Sequence, residues 1–213
     1  MRDHYRTLAA RAEHRIKVER SEFLGIAFPV SDEESFFAEL RAIEKTHFDA
    51  THHCWAFRLF NEERTRSSDA GEPSGTAGKP ILSAFGDLDD VGVVVVRWYG
   101  GVKLGTGGLS RAYREAAAGV LSIAPIAERY VYERVRVVVP FEALGTVYRL
   151  VSAPDVLLAA EHFGETNEFE LDVRRSMVEQ FARTLREKRL GVIPSRNDGE
   201  EPPSAGDPSL RSG

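Results

Sequence analysis

Residues 91–120 read VGVVVVRWYGGVKLGTGGLSRAYREAAAGV, and three kinds of patterning succeed one another within them. Val91 to Tyr99 is a continuous, β-branched run, the signature of a buried central strand. The glycines at 100, 101, 105, 107 and 108 break that run. Glycine is costly inside an element, so such a cluster marks backbone at positive φ or a close approach to the main chain. From Leu109 the period changes: Leu109, Ala112, Tyr113, Ala116 and Val120 recur at helical spacing, so the turn opens an amphipathic helix. A strand, a glycine turn and a helix in immediate succession predict an α+β protein.

Upstream, GEPSGTAGKP at Gly71–Pro80 repeats the theme, with Pro80 placed near the first turn of a short helix at Ile81–Phe85. Each glycine run joins main-chain amides, a lysine and a helix N-terminus, a combination suited to holding an anion. The expected anion site comprises Gly75, Thr76, Gly78 and Lys79 from the first run, and Gly101, Lys103, Gly105, Thr106, Gly107 and Gly108 from the second. Neither run is a standard nucleotide motif. Gly78-Lys79 is followed by Pro80 where a P-loop needs Ser or Thr, and Ser110 stands where a dinucleotide fingerprint needs its third glycine.

Outward from this centre, alternation at Ile16–Val18 and the run Phe23–Val30 suggest two strands, and Ser31 with Glu34 reads as a capping box opening a helix through Lys45. Thr51–Leu59 alternates again, with His53, Trp55, Phe57 and Leu59 on one side and His52, Cys54, Ala56 and Arg58 on the other. The stretch from Asn61 to Glu72 is polar and ends in the first glycine run. Domain one is expected to span residues 1–127, a β-sheet with helices on one face. From Arg129 a β-α-β-β-α order restarts, with a second capping box at Ser176 and Glu179 and a short last strand at Val192-Ile193. Residues 128–194 are therefore expected to be ferredoxin-like, and residues 195–213 a disordered tail rich in Pro, Gly, Ser and charge.

Composition narrows the function. The 213 residues carry a net charge of −5, which argues against coating nucleic acid by bulk charge. Locally the sign reverses: Val91 to Arg114 contains Arg97, Lys103, Arg111 and Arg114 and no acid. One cysteine, Cys54, leaves no partner for an internal disulfide, and the absence of an apolar signal core or membrane-length run makes a cytoplasmic protein the expectation. If helices cover only one sheet face, Arg97, Tyr99 and Arg58 share the open one, and arginine beside an aromatic suits single-stranded RNA. Adjacent His53 and Cys54 point to opposite faces and form neither a metal site nor a nucleophile pair. Asp69 and Glu72 are the available acids, read either as a general base or Mg²⁺ ligands or as loop acids that cap the next helix. No catalytic residue, metal or cofactor is assigned.

THHCWAFRL from Thr51, SSDAGEPSGTAGKPIL from Ser67 and VVVVRWYGGVKLGTGGLSRAY from Val93 closely resemble the IMPACT/YigZ family. The resemblance implies a first domain like domain 2 of a small-subunit ribosomal protein and a second like those of elongation factor G. Eukaryotic members regulate translation under amino-acid starvation, so it also implies a stress-linked regulator of translation with an RNA or ribosome-associated partner. The family's motif residues here are Asp69, Gly71, Glu72, Pro73, Gly75, Thr76, Gly78, Lys79 and Pro80, then Arg97, Gly100, Gly101 and Lys103 to Gly108. Arg20-Ser21-Glu22-Phe23 departs from the pattern, because an acid stands where bacterial relatives carry a basic residue. The favoured expectation is a regulatory protein binding RNA or a ribosome-associated factor. An enzyme acting on a phosphorylated small molecule or nucleotide and a protein–protein adaptor are the alternatives.

Overall fold

Eleven strands and five helices are assigned in a computed structural model that describes residues 2–60, 64–151, 153–164, 166–188 and 190–194. In chain order these are β1 (His4–Leu8), β2 (Ala12–Val18), β3 (Ser21–Pro29), α1 (Glu33–Thr46), β4 (His52–Leu59), β5 (Arg64–Ser68), α2 (Gly78–Leu82), β6 (Val91–Trp98), α3 (Gly105–Ile123) and β7 (Ile126–Tyr130). There follow β8 (Tyr132–Val139), α4 (Leu144–Val151), β9 (Val156–His162), β10 (Asn167–Arg174), α5 (Val178–Glu187) and β11 (Gly191–Pro194), with one-turn 3-10 helices before α4 and α5. The chain divides into two compact units, one of residues 5–129 and one that joins the first four residues to the chain from Tyr130 onward. The expected boundary at 127 thus differs by two residues. Asp3 accounts for the N-terminal reassignment, since its carboxylate accepts from Arg174 Nε at 2.9 Å and its carbonyl from Val131 N at 2.8 Å. The expected tail at 195–213 lies outside the described residues.

The first unit is built on an antiparallel sheet ordered β2-β3-β6-β4-β5. Its central strand β6 is buried from Val91 through Arg97, and the burial is two-sided. Val93 and Val95 pack with Phe23, Ala56 and the Leu109, Ala112, Tyr113 and Ala116 face of α3. Val94 and Val96 pack with Ile26, Phe57 and the Phe36, Leu40 and Ile43 stripe of α1. Helices therefore cover both faces, not one as expected from the sequence. The small residues Cys54 and Ala56 on β4 look like an open side in the sequence, yet they are what lets α2 and α3 approach. Each Val, Ile or Phe buried this way contributes about 1.5–3 kcal/mol of transfer free energy.

Several elements differ in detail. The cap of α1 is Asp32, whose carboxylate accepts from Ser35 N at 2.6 Å while the Ser35 hydroxyl faces the Asp32 backbone N. The box is one residue later than the expected Ser31/Glu34 pair, with Asp32 as cap and Ser35 at its third position, and the Asp32 carboxylate adds negative charge at the positive helix end. The expected Ser176/Glu179 box does not form: Met177 precedes α5 without a side-chain cap, and Ser176 N turns to Asp3. β5 lies within the polar stretch 61–72, to which no element was assigned, and β1 and β7, which pair as a two-stranded ribbon, were not expected either.

In the second unit the sheet runs β11-β8-β10-β9, all antiparallel, with Val135, Val137, Phe169 and Leu171 packed beside Val147 of α4 and Phe181 and Leu185 of α5. This is the split βαβ arrangement of a ferredoxin-like domain.

Candidate nucleic-acid interface

The first glycine run is held closed by the protein's own acid. Asp69 accepts from the amides of Gly75 at 2.7 Å and of Ala77 and Gly78 at 2.9 Å. Burial opposes ionisation of Asp69, but the Gly75, Gly78 and Ala77 amides outweigh it and hold the carboxyl below its usual value. Thr76 turns inward too, its hydroxyl donating to Pro73 O at 2.7 Å. The expectation that these amides cradle an external anion is thereby corrected: the concavity exists, and Asp69 fills it. Lys79 stays exposed on its rim.

Glu72 is likewise engaged. It takes Arg97 Nη1 at 2.5 Å and the Tyr113 hydroxyl at 2.8 Å, and His52 Nε2 lies 3.9 Å away. Arg97 is 4% exposed, so it does not share an open face with Arg58 as expected. Its second nitrogen donates to Ser21 Oγ at 3.2 Å, and its guanidinium lies 5.3 Å from both the Phe23 and the Tyr99 ring centres. Arg58 donates to the carbonyls of Gly86 and Leu88 and lies against Phe85, which makes it a strut between β4 and the 86–88 turn. Cys54 donates to Asp69 O at 2.9 Å, and burial pushes its thiol up to about 12. The acids read as a possible base or Mg²⁺ pair thus hold the loop, and no group of three or more His, Cys, Asp or Glu is placed for a metal among the described residues.

The second run is different. Gly100 must be glycine, because a Cβ there would sit 1.7 Å from Arg20 O. Gly101 and Gly105 adopt φ of +85° and +68°, which swings the chain from β6 into α3. The N-terminus of this 19-residue helix has Leu104 at its cap, no side-chain cap hydrogen bond and no acid in its first turn. Its leading amides retain a positive partial charge. Exposed Lys103 and Arg111 flank them, lining with Gly108 and Leu104 a cleft of about 460 Å³ that has Glu19 and Glu115 also on its walls. Glu22, the departure noted in the sequence, binds Arg15 and lies 3.9 Å from Lys17, so charge on β2 and β3 is paired off.

One aromatic escaped the sequence reading. Phe48, in the turn after α1, is 83% exposed, and Tyr99 at the end of β6 is 44% exposed. The signal available was a phenylalanine in a polar turn, outside any periodic pattern.

The Impact N-terminal domain matches residues 19–121, a span that contains both glycine runs. The IMPACT family member YvyE of Bacillus subtilis is 33% identical over 190 residues, covering 88% of each chain. The chain belongs to the IMPACT family. An IMPACT family member of Thermus thermophilus is 44% identical over 138 residues, covering 64% of this chain and 74% of its own length. A solved structure described as a hypothetical protein aligns with a TM-score of 0.68 at 24% identity, over 93% of this chain and 100% of that one, and shows the fold alone. In this IMPACT chain the matched segment therefore contains one sealed anion nest and one open helix end.

Proposed function

We propose that this protein is a cytoplasmic regulator linked to translation that binds RNA, or the RNA of a ribosome-associated assembly, through the head of α3. The observation that carries the reading is the uncapped, acid-free first turn of a long helix flanked by exposed Lys103 and Arg111. A phosphate there would meet amide donors and two cations together. Family membership adds the link to translation, since the resemblance of the two motifs extends to members that regulate it. The acid-free strip from Val91 to Arg114 supplies the local sign that a net charge of −5 withholds from the whole molecule. The enzyme alternative loses its acids, because Asp69 is held by three amides and Glu72 by Arg97 and Tyr113.

Equilibrium binding of the full chain to a short single-stranded RNA, measured across a salt series, tests the proposal. Affinity should fall steeply with salt, and Lys103→Ala should weaken binding while reducing the log–log slope by about 0.7, the value for one lost phosphate contact on a single strand. Salt-independent binding, or none, contradicts it.

A further inference from the structure

Among the described residues, the two larger sheets end in four edge strands, β2 and β5 in the first unit and β9 and β11 in the second. Three of them carry devices that discourage pairing with another chain. β2 turns Glu13, Arg15 and Lys17 to solvent, and β5 exposes Arg64, Thr65, Arg66 and Ser67. β11 is four residues long and ends on Pro194. β9 differs: Leu157, Leu158 and Ala159 are exposed, the two leucines at 43% and 38%, and no charged residue occurs in the strand before Glu161. The helix-side flank of this edge is apolar as well. Tyr148 and Phe163, both exposed, meet Phe169 edge-on, and Tyr148 donates to Glu161 Oε2 at 2.8 Å.

We propose that β9 is a self-association edge, pairing antiparallel with β9 of a second copy of this chain so that the two four-stranded sheets become one. The register of β9 on β10 selects this occupant. Leu157, Ala160 and His162 lie opposite Asp172, Glu170 and Glu168, on the face away from α4 and α5. Val156, Leu158 and Glu161 lie opposite Val173, Leu171 and Phe169, on the helix face. The register shift that leaves Ala159 unpaired is what reverses the alternation, and without it residues 157 and 160 would point to opposite faces. A two-fold axis placed between Leu158 and Ala159 then matches like faces: Leu157 meets Ala160, large against small, and Val156 meets Glu161. Asp155, held on the outer face by Arg174, meets the exposed imidazole of His162, so a carboxylate–imidazole pair closes each end of the ladder. The acids Asp155 and Glu161 fall on opposite faces, so no like charges oppose one another. Two-fold pairing of one surface with itself is also the commonest closed assembly of identical chains.

Sedimentation velocity of the full chain over a concentration series tests the proposal, which does not rest on the α3 reading. The wild type should pass from monomer to twice that mass as concentration rises. Leu157→Lys, which gives β9 the kind of charge that β2 and β5 already carry, should stay monomeric with an unchanged thermal melt, since Leu157 is exposed and outside the core. Leu157→Cys combined with Ala160→Cys should form a reducible, disulfide-linked dimer, because cross-strand partners lie within disulfide reach. Native Cys54 is buried and stays out of the reaction. Thr65→Cys, exposed on the β5 edge, is the control and should remain unlinked. A wild type that is monomeric at every concentration, a dimer that survives Leu157→Lys, or cross-linking no greater than in Thr65→Cys each overturns the proposal, and none of these outcomes touches the α3 reading.

Discussion

Asp69 does for the first glycine loop what an external anion was expected to do, and its ionisation state governs the loop's cohesion. Removing the charge as Asp69→Asn should cost on the order of 2–3 kcal/mol at neutral pH, since charge-assisted hydrogen bonds to three amides are weakened together. The sign of the pH dependence follows from a depressed carboxyl. The contribution is complete above the ordinary carboxylate value of 3.8 and is lost as pH falls through the lower folded-state value, where the wild-type carboxyl takes up its proton. Denaturation curves of both proteins from pH 7 downward should therefore converge in acid, and a gap that persists undiminished would show that charge is not the cause. Glu72 presents a harsher case. Its side chain and that of Arg97 are 4% and 5% exposed, so Glu72→Ala strands a buried guanidinium and should cost about 3–5 kcal/mol in urea unfolding. A loss below 1 kcal/mol would mean the guanidinium finds water or another partner.

Among the elements, those whose own pattern carries burial were legible. The Val91–Trp98 strand, the α3 stripe at Leu109, Ala112, Tyr113 and Ala116, and the β-α-β-β-α order after Arg129 follow from periodicity alone, because in each the apolar residues of the element itself make the core. β5, with the sequence RTRSS, has no apolar alternation; it is a strand because Trp55 to Leu59 of β4 offers it a ladder, which is a tertiary fact. The two-sided sheet was missed for a related reason: Cys54 and Ala56 are too small to announce a packed face, and only the approach of α2 and α3 reveals it. The anion nest was legible as glycines, but nothing in the spacing says that Asp69, six to nine residues upstream, fills it. The caps make element-scale predictions of their own. Asp32→Ala should destabilise by about 1 kcal/mol, and Ser31→Ala by a few tenths, because the first removes the cap of α1 and the second only its neighbour. Equal effects in thermal melts would restore the earlier assignment. Gly100→Ala should be far worse than either, since the new methyl meets the backbone of Arg20 and the β2–β3 hairpin has to move.

At the scale of the whole molecule, the two units treat charge differently. In the first, α3 begins without an acid while Lys103 and Arg111 stay exposed. In the second, the sheet face away from α4 and α5 carries a ladder of opposed charges. Arg134 binds Asp172 at 2.6 Å and Glu170 at 2.9 Å, Arg136 binds Glu168, and Arg174 binds Asp3 and Asp155. With its arginines matched by acids, that face offers a phosphate backbone little, and Arg136→Ala should leave RNA affinity within about twofold and the salt slope unchanged. A steep loss there would move the interface to the second unit. The central claim, that one glycine run is sealed by Asp69 and the other is open to a ligand, is tested most directly by following backbone amide resonances of the full chain during titration with single-stranded RNA. The account predicts large, saturable shifts at Gly105, Thr106, Gly107 and Gly108 with little change at Gly75, Ala77 and Gly78; shifts centred on Gly75 to Gly78, with the α3 amides silent, would contradict it.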